Sequence, residues 1–131
     1  MVTSTKLHAQ NVFNLDSLII TSVIEQFSIC NNEDTVENRL YIFYSNKFKI
    51  NNDSILEIGD CKIELKKNSG NVNYSNQYFL FNDVSEDSIG NLTLQIYFKE
   101  GYSSYYDGEV IFRLSGGAYY LFDSRFMHGI Q

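Results

Sequence analysis

Proline and tryptophan are missing from this 131-residue sequence, and histidine and cysteine occur only twice each. Nucleophilic catalysis needs a serine or cysteine held against a base. His8 and His128 lie near the two ends of the chain, no GxSxG is present, and neither cysteine sits in a catalytic signature. No catalytic residue is assigned, and the histidines read as surface side chains. Two cysteines and two histidines at positions 8, 30, 61 and 128 lack the short-spaced pairs of a zinc site. The polar turns at 31–38 and 51–54 lack the ligand spacing and central glycine of a calcium loop, so no metal is expected. Phosphate-cradling glycine patterns are absent too, no cofactor is implied, and Ser115-Gly116-Gly117-Ala118 reads as a hairpin turn. Cys30 and Cys61 show no CxxC spacing and are expected as reduced, half-buried side chains, with a disulfide as the alternative.

Long apolar runs are also lacking. None approaches the roughly 18 residues of a membrane span, and the first residues carry no charged segment followed by an apolar run. A cytoplasmic location without membrane contact is expected, which would leave the Asn-X-Ser/Thr sites at Asn52, Asn73 and Asn91 unused. Basic residues number ten against sixteen acidic ones, a formal charge of −6. That balance repels a phosphate backbone and excludes nucleic acid as a direct partner.

Ten tyrosines, ten phenylalanines and 44% hydrophobic residues supply ample core material. A chain of this length buries a core as one domain, 1–131, without staples. Residues 1–11 and 124–131 are expected as loosely attached termini. Leu92, Leu94, Ile96 and Phe98 alternate with polar residues, and Glu109 to Leu114 and Ala118 to Phe122 follow as strands. Ile55 to Ile58 and Cys61 to Leu65 form a hairpin about Gly59-Asp60. A short strand at Val12 to Leu15, a long one from Arg39 to Phe48 bent near Ser45-Asn46, and another at Tyr78 to Phe81 complete the pattern. All glycines fall in predicted turns or the tail, the distribution of a strand-turn-strand chain. The expected fold is all-β, an antiparallel β-sandwich or barrel of about eight or nine strands. Residues 17–29 are divided. Asp16 can cap a helix whose apolar face is Ile20, Val23, Ile24 and Phe27, but five β-branched residues between Ile19 and Ile24 favour a strand.

Two kinds of contact surface stand out. Gly101 to Gly108, rich in Tyr, Ser, Gly and Asp, has the composition of an adaptable recognition loop and offers Tyr102, Tyr105, Tyr106 and Asp107. Acidic connections at 31–38 and 83–90 offer Glu33, Asp34, Glu37, Asp83, Glu86 and Asp87. If successive strands run up and down, these carboxylates and Asp60 share one end of the domain, while Lys47, Lys49, Lys66 and Lys67 share the other with the tyrosine loop. The close acidic pairs Asp107 with Glu109 and Glu86 with Asp87 read as solvated charge rather than as a glycosidase dyad.

In overall profile, a short acidic domain rich in Asn, Ile, Lys and Tyr and devoid of catalytic motif, the chain resembles bacterial immunity proteins that neutralise toxins, including those of contact-dependent growth inhibition. The resemblance rests on composition and on Asn31 to Asn38, Asp83 to Asp87 and Gly101 to Glu109. It implies a basic protein partner, a cognate toxin such as a nuclease, inhibited by covering its active site. Two other classes compete. One is a carbohydrate-binding sandwich stacking sugars on Tyr102, Tyr105, Tyr106 and Tyr119, with Asp107 or Asn91 accepting hydroxyls; the absence of Trp and of a secretion signal counts against it. The other is a structural subunit of a phage or surface assembly.

Overall fold

A computed structural model describes residues 12–27, 39–50, 55–59, 61–68, 77–100 and 104–130. In chain order the elements are β1 (Phe13–Asn14), α1 (Ser17–Glu25), β2 (Arg39–Tyr44), β3 (Phe48–Lys49), β4 (Ile55–Ile58), β5 (Cys61–Lys67), β6 (Tyr78–Glu86), β7 (Leu92–Lys99), β8 (Ser104–Ser115) and β9 (Ala118–Ile130). The chain is mostly β, with nine strands among the described residues arranged in two sheets.

Alternation in the sequence sets the main sheet. Leu92, Leu94, Ile96 and Phe98 of β7 are all buried on one face, as are Cys61, Ile63 and Leu65 of β5. The seven strands follow the order β4-β5-β2-β6-β7-β8-β9, an open sheet rather than a closed barrel. Four neighbouring pairs are antiparallel, but β2 runs parallel to both β5 and β6. The antiparallel meander expected from the sequence is broken there. The long strand expected from Arg39 to Phe48 breaks near Ser45, as its bend suggests, and Phe48–Lys49 pairs with Phe13–Asn14 in a second, two-stranded parallel ladder.

The segment after Asp16 is a helix, which overturns the strand preference. Asp16 stays extended, and its Oδ1 accepts the Ile19 N–H at 2.9 Å. This is an N-cap worth about 1 kcal/mol. Ile19, Ile20, Val23 and Ile24 are all buried. Each such side chain gains about 1.5–3 kcal/mol on burial, whereas a β-branched residue costs at most about 0.7 kcal/mol of helix propensity. Packing therefore outweighs propensity. Just beyond the helix, Phe27 meets four rings, those of Phe79, Phe98, Tyr106 and Phe126, at centroid distances of 5.5, 4.7, 5.3 and 5.2 Å. One side chain thus pins the helical layer to β6, β7, β8 and β9.

Three further expectations change. The tyrosine-rich loop is mostly strand, because β8 begins at Ser104, and the tail is the second half of β9, paired as far as Ser104↔Ile130. Gly108 and Gly129 accordingly lie inside strands. A Cβ at Gly108 would collide with the Arg125 carbonyl, and one at Gly129 with the Tyr105 ring. The last change concerns redox state, since Cys61 is disulfide-bonded rather than reduced. The chain's other cysteine, Cys30, lies outside the described residues. The two hairpins read from sequence are present. Ile58↔Cys61 closes one, with Gly59 at φ 59°, and Ser115↔Ala118 closes the other over Gly116 and Gly117, both at positive φ as a two-residue turn requires.

Candidate functional site

The strand order is not the simple up-and-down meander on which a single acidic end depended. Because β2 and β6 are parallel, with Tyr41 opposite Tyr78, the chain enters β2 at one end of the sheet and leaves β6 for the Asp87 turn at the other. At about 3.3 Å per residue the two points are roughly 30 Å apart. Glu33, Asp34, Glu37 and Asp60 themselves lie outside the described residues. Asp83 and Glu86 belong to β6, not to a loop. Lys47, expected at the opposite end, stands 3.9 Å from Asp83.

The tyrosine group is divided as well. Tyr102 lies outside the described residues. Successive residues of a strand face opposite ways, so Tyr105 and Tyr106 are separated by the sheet itself. Tyr106 joins the helix side, stacked on Phe98 and His128. Tyr105 lies on the other face, stacked on Tyr97 at 5.6 Å, with exposed Asp107 two residues along the same strand. Tyr119 is at the far end of β9, and Asn91 Oδ1 already accepts the Leu114 N–H at 3.2 Å.

What the fold does bring together is a cluster at the β6–β7 turn. Asp87 organises the turn, its Oδ1 accepting the N–H groups of Asn91 at 2.9 Å and Ile89 at 3.0 Å. These donors, Asn91 foremost, hold its pKa below the usual aspartate value. Asp87 is thus a structural residue first. Tyr119, opposite Leu114 in the ladder, packs edge-on against Phe13 at 6.2 Å. Its hydroxyl pKa is raised by burial and then by the carboxylates of Glu86 and Asp16. Two acids from separate elements therefore bear on one amphipathic ring. Ile89 and Leu114 flank this corner, 74% and 41% exposed. Glu86 was legible as a candidate. Asp16 was visible only as a helix cap, and Tyr119 only as a sugar-stacking ring, because nothing local links them.

His128 also differs from its expected place. Though exposed, it is held in β9, its Nε2 2.7 Å from Ser104 Oγ, which in turn bonds Glu100 Oε1 at 3.0 Å. A carboxylate only accepts, so the serine hydroxyl donates to Glu100. The group ties β8, the end of β9 and Glu100 together. A cavity of about 130 Å³ adjoins the start of α1, lined by residues including Asn14, Leu15, Ile20 and Leu65. Pockets for drug-sized ligands run to about 300–1,000 Å³, so it is too small for such a ligand. Asn14 Oδ1 is buried without a partner. Among the described residues no group of three metal-ligating side chains occurs, and no helix is long and apolar enough to cross a membrane.

No family model matches the chain, and no curated protein or solved structure matches it either.

Proposed function

We propose that the chain is a non-catalytic protein-binding domain of the toxin-neutralising immunity type, which docks a basic partner on the corner formed by Asp16, Glu86 and Tyr119. The observation that supports this most is the raised pKa of Tyr119, pushed up by burial and then by the charges of Glu86 and Asp16, beside exposed Ile89 and Leu114. Apolar and aromatic anchors supply lasting affinity. Carboxylates on a chain of formal charge −6 speed encounter with a basic surface. A nuclease toxin, whose nucleic-acid site is basic, is the partner this combination suits, and covering that site would inhibit it. The encounter is proposed for the cytoplasm, where disulfides are reduced. Cys61 pairs with Ile58 beside the Arg39 end of β2, away from the docking corner, so binding should survive reduction.

The test is titration against the basic product of the neighbouring open reading frame at low and high salt. Asp16→Asn keeps the cap oxygen and Glu86→Gln keeps the side-chain shape, so each removes charge alone. Together they should weaken binding and flatten its salt dependence, and Tyr119→Ala should weaken it further. Unchanged affinity in all three would refute the assignment.

A second reading is favoured by the stacked Tyr97 and Tyr105 beside exposed Asp107 on the opposite sheet face. This is an arrangement on which a sugar ring can stack with hydroxyls bonded to the carboxylate. Glycan binding lost in Tyr105→Ala but kept in Tyr119→Ala would support it.

A further inference from the structure

The two edges of the main sheet are unequal. β4 is a short edge of four residues carrying Glu57, whereas β9 runs for thirteen residues, contains no proline or lysine, and bonds only to β8. No other backbone–backbone hydrogen bond of β9 occurs among the described residues, although the Ser124 N–H donates to Asp123 Oδ1 at 2.8 Å and would have to leave it on pairing. A long edge presents a row of free N–H and C=O groups that templates further pairing. This edge is also apolar, with Tyr120, Leu121, Phe122, Met127 and Ile130 all more than 40% exposed.

We infer that β9 pairs antiparallel with β9 of a second copy of this chain, across a two-fold axis at Ser124. Charge selects the register. Asp123 and Arg125 are the only acidic or basic residues of β9 besides His128. A two-fold at Ser124 sets Asp123 opposite Arg125 of the second copy, and the reverse. A two-fold at either neighbour would instead oppose Asp to Asp or Arg to Arg, which is destabilising. The bulge in β9, where Ile111↔Asp123 is followed by Phe112↔Leu121, makes Phe122 the extra residue. Counted past it on both copies, Leu121 meets Phe126 of the second copy and Tyr120 meets its Met127, apolar against apolar on each face. Such isologous pairing closes after two copies.

Sedimentation equilibrium of the full chain should show reversible association to twice its 15.2 kDa mass. Asp123→Arg and Arg125→Asp each set like charges opposite and should weaken the dimer on the order of tenfold. An equimolar mixture of the two variants should restore association, although the Asp123–Arg125 ion pair within each chain stays broken. Circular dichroism of each variant verifies that it is folded. A wild-type chain that stays monomeric, association that both reversals leave unchanged, or a mixture no tighter than its components overturns the proposal. So does a monomer that dimerises only once residues 1–11 are removed, since that segment would then be the occupant of the edge.

Discussion

Phe27 carries more of the packing than its position at the end of a nine-residue helix suggests. Its four ring contacts reach four strands, so Phe27→Ala should destabilise the domain by about 3–5 kcal/mol, the cost of emptying a large aromatic site. Chemical denaturation with an unchanged slope would verify it. Tyr119 yields a pH prediction. Burial, Glu86 and Asp16 raise its folded pKa above the unfolded one, so its contribution to stability is complete below the ordinary tyrosine value. That contribution fades as pH rises through the folded value. The difference in stability between wild type and Tyr119→Phe should therefore be flat through neutral pH and fall in the alkaline range above about 10. At Gly108 the constraint is steric. Because an added Cβ would meet the Arg125 carbonyl, Gly108→Ala should force β9 away from β8 and expose Phe126, read as faster amide exchange along β9 alone.

Most elements were visible in the sequence because their signals are local. Alternation marked β5 and β7, and Gly59-Asp60 and Gly116-Gly117 marked the hairpins. The helix is where local signals conflict. Its capping aspartate and its apolar spacing pointed one way and its β-branched density the other, and only the sheet beneath Ile19, Ile20, Val23 and Ile24 decides between them. Asp16→Ala should accordingly cost about 1 kcal/mol, whereas Asp16→Asn should cost little. The parallel pairing of β2 has no local signature, and it breaks the meander that the alternating strands suggest. For the same reason the candidate corner was only partly legible. Glu86 was chosen for its charge, but Glu86 and Asp16 act on Tyr119 from β6 and from the cap of α1, positions far from β9 in the sequence. The tyrosine segment reads as a loop because composition marks Tyr as a recognition residue and as a strand former alike, and pairing with Lys99 and Gly129 puts Tyr105 in a strand.

At the scale of the molecule, the disulfide and the proposed docking corner occupy different ends. The disulfide at Cys61 lies beside the short β4 edge. Cys61→Ser should cost about 2–4 kcal/mol in oxidising buffer and much less under reductant, with partner affinity unaffected in either. Recognition is assigned to the corner of Asp16, Glu86 and Tyr119, which a single-chain change can isolate from the tyrosine face. The most direct test is calorimetric titration of the neighbouring frame's basic product into three chains: wild type, Asp16→Asn with Glu86→Gln, and Tyr105→Ala with Asp107→Asn. The account predicts that the first pair of substitutions weakens binding and removes most of its salt dependence, while the second leaves both close to wild type. Full affinity in the first pair together with loss in the second would contradict it.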